Sequence, residues 1–175
     1  MKIYLLDNNP VICKTWNLYF EGEREVEIEC DDFKHFMDTT DVECVVSPAN
    51  SFGIMDGGYD LAISEWFEWK QQDLVKDYIQ KHYYGEQPVG TSFIIDTDVK
   101  GIKLIHTPTM RTPSPIKEPL IVYQCMRTTL MVALDNNIKS IIIPAFGGLC
   151  GGLSPQVICE MMWKGYRQIF LQAED

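Results

Sequence analysis

The sequence predicts an α/β fold: a three-layer α/β/α sandwich around a central mixed, mostly parallel sheet. Three observations carry that prediction. Short apolar runs alternate with helix-length amphipathic segments along most of the 175 residues. Two of those runs, residues 42–47 and 140–144, are apolar almost throughout, as in strands buried on both faces. Residues 91–95 and 102–106 flank a short turn, which marks a hairpin and makes the sheet mixed.

The elements follow in chain order. Residues 1–20 read as an additional strand and helix, a further layer of the domain. The stretch Glu25-Val26-Glu27-Ile28-Glu29-Cys30 alternates strictly, so it is a half-buried strand with a solvated acidic face. The run 42–47 ends at Pro48, and a glycine-bearing loop extends from Ala49 to Gly58. Helical sequence covers residues 59–84, as one helix or two. In the hairpin, Asp96 and Asp98 are turn residues. Residues 107–115 read as a loop stiffened by Pro108, Pro113 and Pro115. Residues 119–136 form a largely buried helix. After the second buried strand come Gly147, Gly148, Gly151 and Gly152, then Ser154 as a helix N-cap with Pro155 behind it. Ile158, Met161, Met162, Gly165 and Ile169 share one face of the last helix. The length fits one domain over residues 1–175.

Composition narrows the function. Hydrophobic residues make up 46% and charged residues 23%, an ordinary globular balance. The net charge is −10 and no stretch is strongly basic, so nucleic-acid backbone binding is not expected. An anionic ligand must be held by local backbone dipoles against that overall field. The six cysteines form no CxxC pair and have no metal-ligand spacing with the three histidines. They read as buried reduced thiols of a cytoplasmic protein, with no metal and no cofactor. The opening segment reaches Asp7 too soon for a signal peptide, and no run has membrane-spanning length.

The chemistry gathers at two strand–glycine-loop–helix units, one after Val45-Val46 and one after Ile141-Ile142-Ile143. Glycine lets backbone N–H groups turn towards a ligand, and the following helix start adds unsatisfied N–H groups and a partial positive charge. Two such units at one end of a sheet can clamp a diphosphate without lysine, and neither loop holds a basic residue. A P-loop and a GxGxxG fingerprint are both absent. The plainer alternative is that these glycines only punctuate turns.

The first unit reads Ser47-Pro48-Ala49-Asn50-Ser51-Phe52-Gly53-Ile54-Met55-Asp56-Gly57-Gly58-Tyr59-Asp60-Leu61-Ala62-Ile63. The second reads Pro144-Ala145-Phe146-Gly147-Gly148-Leu149-Cys150-Gly151-Gly152. Together they resemble the two loop motifs of the macrodomain family, the ADP-ribose-binding α/β/α fold. The likeness extends from about Val26 onward, through Leu104-Ile105-His106-Thr107-Pro108. The string Pro108-Thr109-Met110-Arg111 is similar to a bacterial and phage-like branch. Ser47 stands where the family has its first asparagine, and Leu149 where it has a glycine, which predicts a narrower phosphate channel or a shifted loop register.

The resemblance implies roles. Asp32, with Asp31 as the adjacent candidate, accepts from the adenine amino group. Asn50 contacts the distal ribose, and Asp60 orients or activates a water in hydrolytic members. Ala49, Gly57 and Gly58 belong to the first loop. Ala145, Gly147, Gly148, Leu149, Cys150 and Gly151 belong to the second, with Phe146 near the adenine or ribose. A turn role for Asn50 and a helix-dipole role for Asp60 are the alternatives. His106 reads as a core histidine, and Arg111 either reaches a phosphate or faces solvent. The implied function is binding of ADP-ribose or an ADP-ribosylated substrate, with hydrolysis of an ester, glycosidic or phosphate linkage at the distal ribose. The alternatives are a non-catalytic binding module and an interaction domain without ligand.

Overall fold

Three helices begin on capping side chains that the sequence supplies. Asn9 accepts from the Val11 N–H ahead of α1 (Pro10–Tyr19), and Pro10 opens that helix. Asp32 accepts from the His35 N–H at α2 (Phe33–Thr39). Ser154 accepts from the Val157 N–H at α6 (Pro155–Phe170), again with proline first. The other helices are α3 (Gly58–Trp66), α4 (Lys70–Tyr83) and α5 (Leu120–Asp135). The strands are β1 (Lys2–Asp7), β2 (Val26–Cys30), β3 (Cys44–Asn50), β4 (Phe93–Asp96), β5 (Lys103–Met110) and β6 (Ser140–Ile143). The computed structural model describes residues 1–172.

The six strands lie in the order β2-β1-β6-β3-β5-β4. All neighbours are parallel except β4, which runs antiparallel to β5 as the hairpin signal predicts. Strand alternation divides the core in two. Cys44, Val46, Ile105, Ile141 and Ile143 pack beneath α1, α5 and α6. Val45, Leu104 and Ile142 pack beneath α2, α3 and α4. The result is the expected α/β/α sandwich. No helix among the described residues is long and apolar enough to cross a membrane.

Three local readings change, and one left open is settled. Residues 1–20 are not an added layer: β1 lies inside the sheet, between β2 and β6. Pro48 does not end β3, nor is 107–110 a loop, because Pro48 pairs with Thr107 and Ala49 with Pro108. Both prolines lie past the last rung of the strand on their other side. The β3–β6 pairing stops at Val45, and β4 stops opposite His106. Proline is tolerated on such an open edge. The helix α2 has no counterpart in the sequence reading. The helical stretch 59–84 is two helices, broken where Glu68 and Trp69 take φ of 54° and 64°.

The parting of β3 and β6 positions the site. They are paired only at Cys44–Ile141 and Val45–Ile142, after which β3 continues alone with β5. Both glycine loops leave from the carboxyl side of that split, where ligands enter open α/β sheets.

Candidate ligand site at the two glycine loops

The first loop is tied down by its own side chains. Asn50 Oδ1 accepts from the N–H groups of Phe52 (3.1 Å) and Ile54 (3.3 Å), and its Nδ2 donates to the Ile54 carbonyl (2.7 Å). The Asn50 amide therefore folds the loop and retains one N–H outside these bonds. Met55 is fully buried beneath the loop. Its N–H donates to Gln72, and its carbonyl accepts from Ser64 Oγ (2.6 Å), which fastens the loop to α3 and α4. Gly57 and Gly58 are exposed, and Gly57 gives α3 no side-chain cap. The first-turn N–H groups of α3 are thus left for an anion.

Asp60 stands in that first turn yet is only 6% exposed. Burial pushes its carboxyl up to about 7; the hydrogen bond from Ser47 works against the rise and the Asp56 charge adds to it. Ser47 is fully buried on β3, and its Oγ donates to Asp60 Oδ1 at 2.5 Å. Next to Asp60, the Tyr59 ring meets Phe33 edge-on at 5.4 Å. The Tyr59 hydroxyl is buried and has no hydrogen-bond partner among the described residues. Burial, with the charges of Asp7 and Asp60, holds that phenol well above its ordinary range.

Asp32 is exposed, and its Oδ1 is the N-cap of α2. Asp31 bonds the His35 ring at 2.6 Å, which lowers the Asp31 carboxyl and raises the imidazole.

The second loop rests on Ile116. Gly147 has φ +90°, and a Cβ there would meet Leu153, Val122 and Ile116 side-chain atoms at 2.9 to 3.3 Å. A Cβ on Gly151 would meet Ile116 Cδ1 at 2.9 Å, and the Gly151 carbonyl accepts the Ile116 N–H. Gly148 is extended, and Cys150 is exposed. Ala145 is buried, and Phe146 lies wholly in the core under α5 and α6, so its ring presents no surface to a ligand in this conformation.

Leu149 joins the loops. It takes φ 48°, is 82% exposed, and its Cδ1 stands 3.2 Å from where a Gly58 Cβ would be. The residue that replaces a glycine in the second loop lies on a glycine of the first. Cavities of about 740 Å³ beside Phe20 and Ile28 and about 760 Å³ beside Val42 and Ile102 include none of the predicted site residues.

Two further residues sit nearby. Arg111 binds Glu86 through Nε at 2.5 Å and stacks over Phe52, so its charge is already engaged at the rim. His106 is fully buried. Its Nδ1 meets Gln87 Oε1 at 2.6 Å and therefore carries the proton, since an amide oxygen only accepts; Nε2 has no hydrogen-bond partner among the described residues. Burial depresses the ring to about 3.

Sequence reasoning names the loops, Asn50 and Asp60 as candidates, but reads Ser47 only as a substitution and passes over Tyr59 and Ile116. A hydroxyl thirteen residues before Asp60 gives no local signal. The pairing emerges only when β3 and α3 fold together.

The family profile described as Macro domain matches residues 46–162. An uncharacterised protein of Aquifex aeolicus is 27% identical over 129 residues, covering 73% of this chain and 74% of that protein. One of Aeropyrum pernix is 29% identical over 143 residues, covering 81% and 68%. Among solved structures, the macrodomain of Mycobacterium tuberculosis DarG superposes with TM-score 0.63 at 20% identity, covering 75% of this chain and 85% of its own. An Oceanobacillus iheyensis macrodomain variant with ADPR gives 0.66 at 19%, covering 78% and 74%. Thermosipho africanus DarTG in complex with ADP-ribose gives 0.61 at 17%, covering 76% and 36%. At such identities the structural likenesses speak for the fold, which agrees with the profile match over most of the chain. The chain belongs to the macrodomain family.

Proposed function

We propose that the chain binds ADP-ribose, or a compound carrying it, across the two glycine loops. The observation that carries this reading is the meeting of Leu149 with Gly58, which brings two lysine-free backbone cradles together. In this reading the diphosphate lies against the N–H groups of Gly57, Gly58 and residues 147–151. Asp32 accepts from the adenine amino group, and the spare Asn50 N–H meets the distal ribose. Leu149 must lift from Gly58 to admit the phosphates. Relatives solved with ADPR and with ADP-ribose support the choice of ligand.

The finer proposal is hydrolysis. A carboxyl near 7 is half ionised at neutral pH, so Asp60 can take a proton from a water attacking a linkage at the distal ribose. Candidate substrates are ADP-ribosylated protein, O-acetyl-ADP-ribose and ADP-ribose phosphate. A non-catalytic binding module is the second reading. It is favoured by the Asn50 amide being committed to its own loop and Asp60 Oδ1 to Ser47.

Calorimetric titration with ADP-ribose, AMP and ADP tests binding. Saturable heat with ADP-ribose is expected; its absence at millimolar ligand overturns both readings. Turnover of the three substrates separates enzyme from module.

A further inference from the structure

We propose that Cys13 and Cys30 form a modification site, a thiol pair that a peroxide-class oxidant converts to a disulfide bridging α1 and β2.

The placement is geometric. Val26 and Ile28 pack into the core cluster that α1 covers, so strand alternation puts Cys30 on the same face. Cys30 is the register partner of Asp7. Cys13 Sγ lies 3.2 Å from the Asp7 carbonyl oxygen and 3.8 Å from that of Glu29, the residue joined to Cys30. Cys13 Sγ thus stands beside the peptide group that joins Glu29 to Cys30, at the end of β2 where the Cys30 side chain emerges. Cys30 is exposed and Cys13 is buried, so one thiol meets the oxidant and the other lies behind it.

The chemistry balances. Peroxide oxidises the Cys30 thiol to a sulfenic acid and releases one water. The Cys13 sulfur attacks that sulfenic sulfur, its thiol proton leaves with the hydroxyl as a second water, and the S–S bond forms. Two thiols lose two electrons to one peroxide, and a dithiol reductant reverses the step.

The bridge closes the loop of residues 13–30 and fixes the strand end carrying Asp31 and Asp32. That it thereby stiffens the adenine end of the groove rests on the ADP-ribose reading above. The crosslink is read without ligand, so failure of either idea is seen separately.

The test oxidises the full folded chain with hydrogen peroxide, alkylates the remaining thiols and maps disulfide peptides by mass spectrometry. A Cys13–Cys30 peptide that disappears on dithiothreitol treatment is expected, with an oxidised protein that melts higher than the reduced one. Cys30→Ser, a change at an exposed position, should lose both the crosslink and the peroxide-dependent rise in melting temperature. Cys30 ending as sulfinic or sulfonic acid, or joined to Cys150, overturns the proposal. So does a bridge whose formation lowers the melting temperature, because the thiols would then meet only in a distorted fold.

Discussion

Ser47 Oγ donates a 2.5 Å hydrogen bond to Asp60 Oδ1, across from a mid-sheet strand to the first turn of a helix. A buried hydroxyl holding a buried carboxyl is a geometry with direct consequences. Ser47→Ala removes the one influence that lowers the Asp60 carboxyl, so its titration should move to higher pH. Above pH 7 the variant should lose about 1–3 kcal/mol of stability, because an ionised buried oxygen loses its donor. At pH 5, with Asp60 protonated, urea unfolding should show a smaller loss. Equal losses at both pH values would refute the account.

The Asp60 carboxyl itself makes stability depend on pH. It is raised from 3.8 when unfolded to about 7 when folded, so folding favours the protonated form. That stability is fully present below about pH 4 and lost as pH rises through 7. Relative to Asp60→Asn, the wild type should lose on the order of 4 kcal/mol between pH 4 and 7, then level off. A difference that stays constant across this window in urea melts sinks the assignment. If Asp60 is the base, kcat/KM should climb with pH to a plateau above about 7, and Asp60→Asn should remove turnover.

The imidazoles should separate by NMR titration. His106, held neutral at about 3 by burial, should keep one set of ring shifts from pH 8 down to 4. His35, raised by its Asp31 partner, should titrate above the usual histidine midpoint. A His106 ring that protonates near pH 6 would show that its site admits water.

Leu149→Gly should tighten ADP-ribose binding by about three- to tenfold. The change removes a side chain that must be lifted off Gly58 before the phosphates can enter. Since Leu149 is exposed, stability should hold. Unchanged or weaker affinity by calorimetry would mean that the leucine is a ligand contact, not an obstruction.

Gly147→Ala should destabilise the fold by about 1–3 kcal/mol, seen as a lowered melting temperature. Its φ of +90° is strained for any L side chain, and three side chains already crowd the position. Gly57→Ala, at a position with extended backbone and open space, should be tolerated in the same assay.

The fold was legible because the signals were local. Residues 140–144 are apolar enough to demand burial on both faces, and Ser154-Pro155 announces a helix start in two letters. What escaped were features set by neighbours in space. Pro48 and Pro108 look like strand ends until the extent of β6 and β4 is known. The helix α2 is only seven residues, too short for periodicity to declare itself. At the site, Asn50 and Asp60 were named from motif spacing, but the commitment of Asn50 to its own loop was not. An asparagine that closes a turn and one that meets a ligand are identical in sequence.

Ile116 is the unmarked centre of the second loop. It lies outside both glycine motifs, on a proline-rich connection, yet Gly147 and Gly151 both close on it. Relatives that preserve every glycine but alter this one aliphatic residue would carry a cradle of different height. Divergence in ligand preference could thus accumulate in a connecting segment while the recognisable motif stayed letter-perfect.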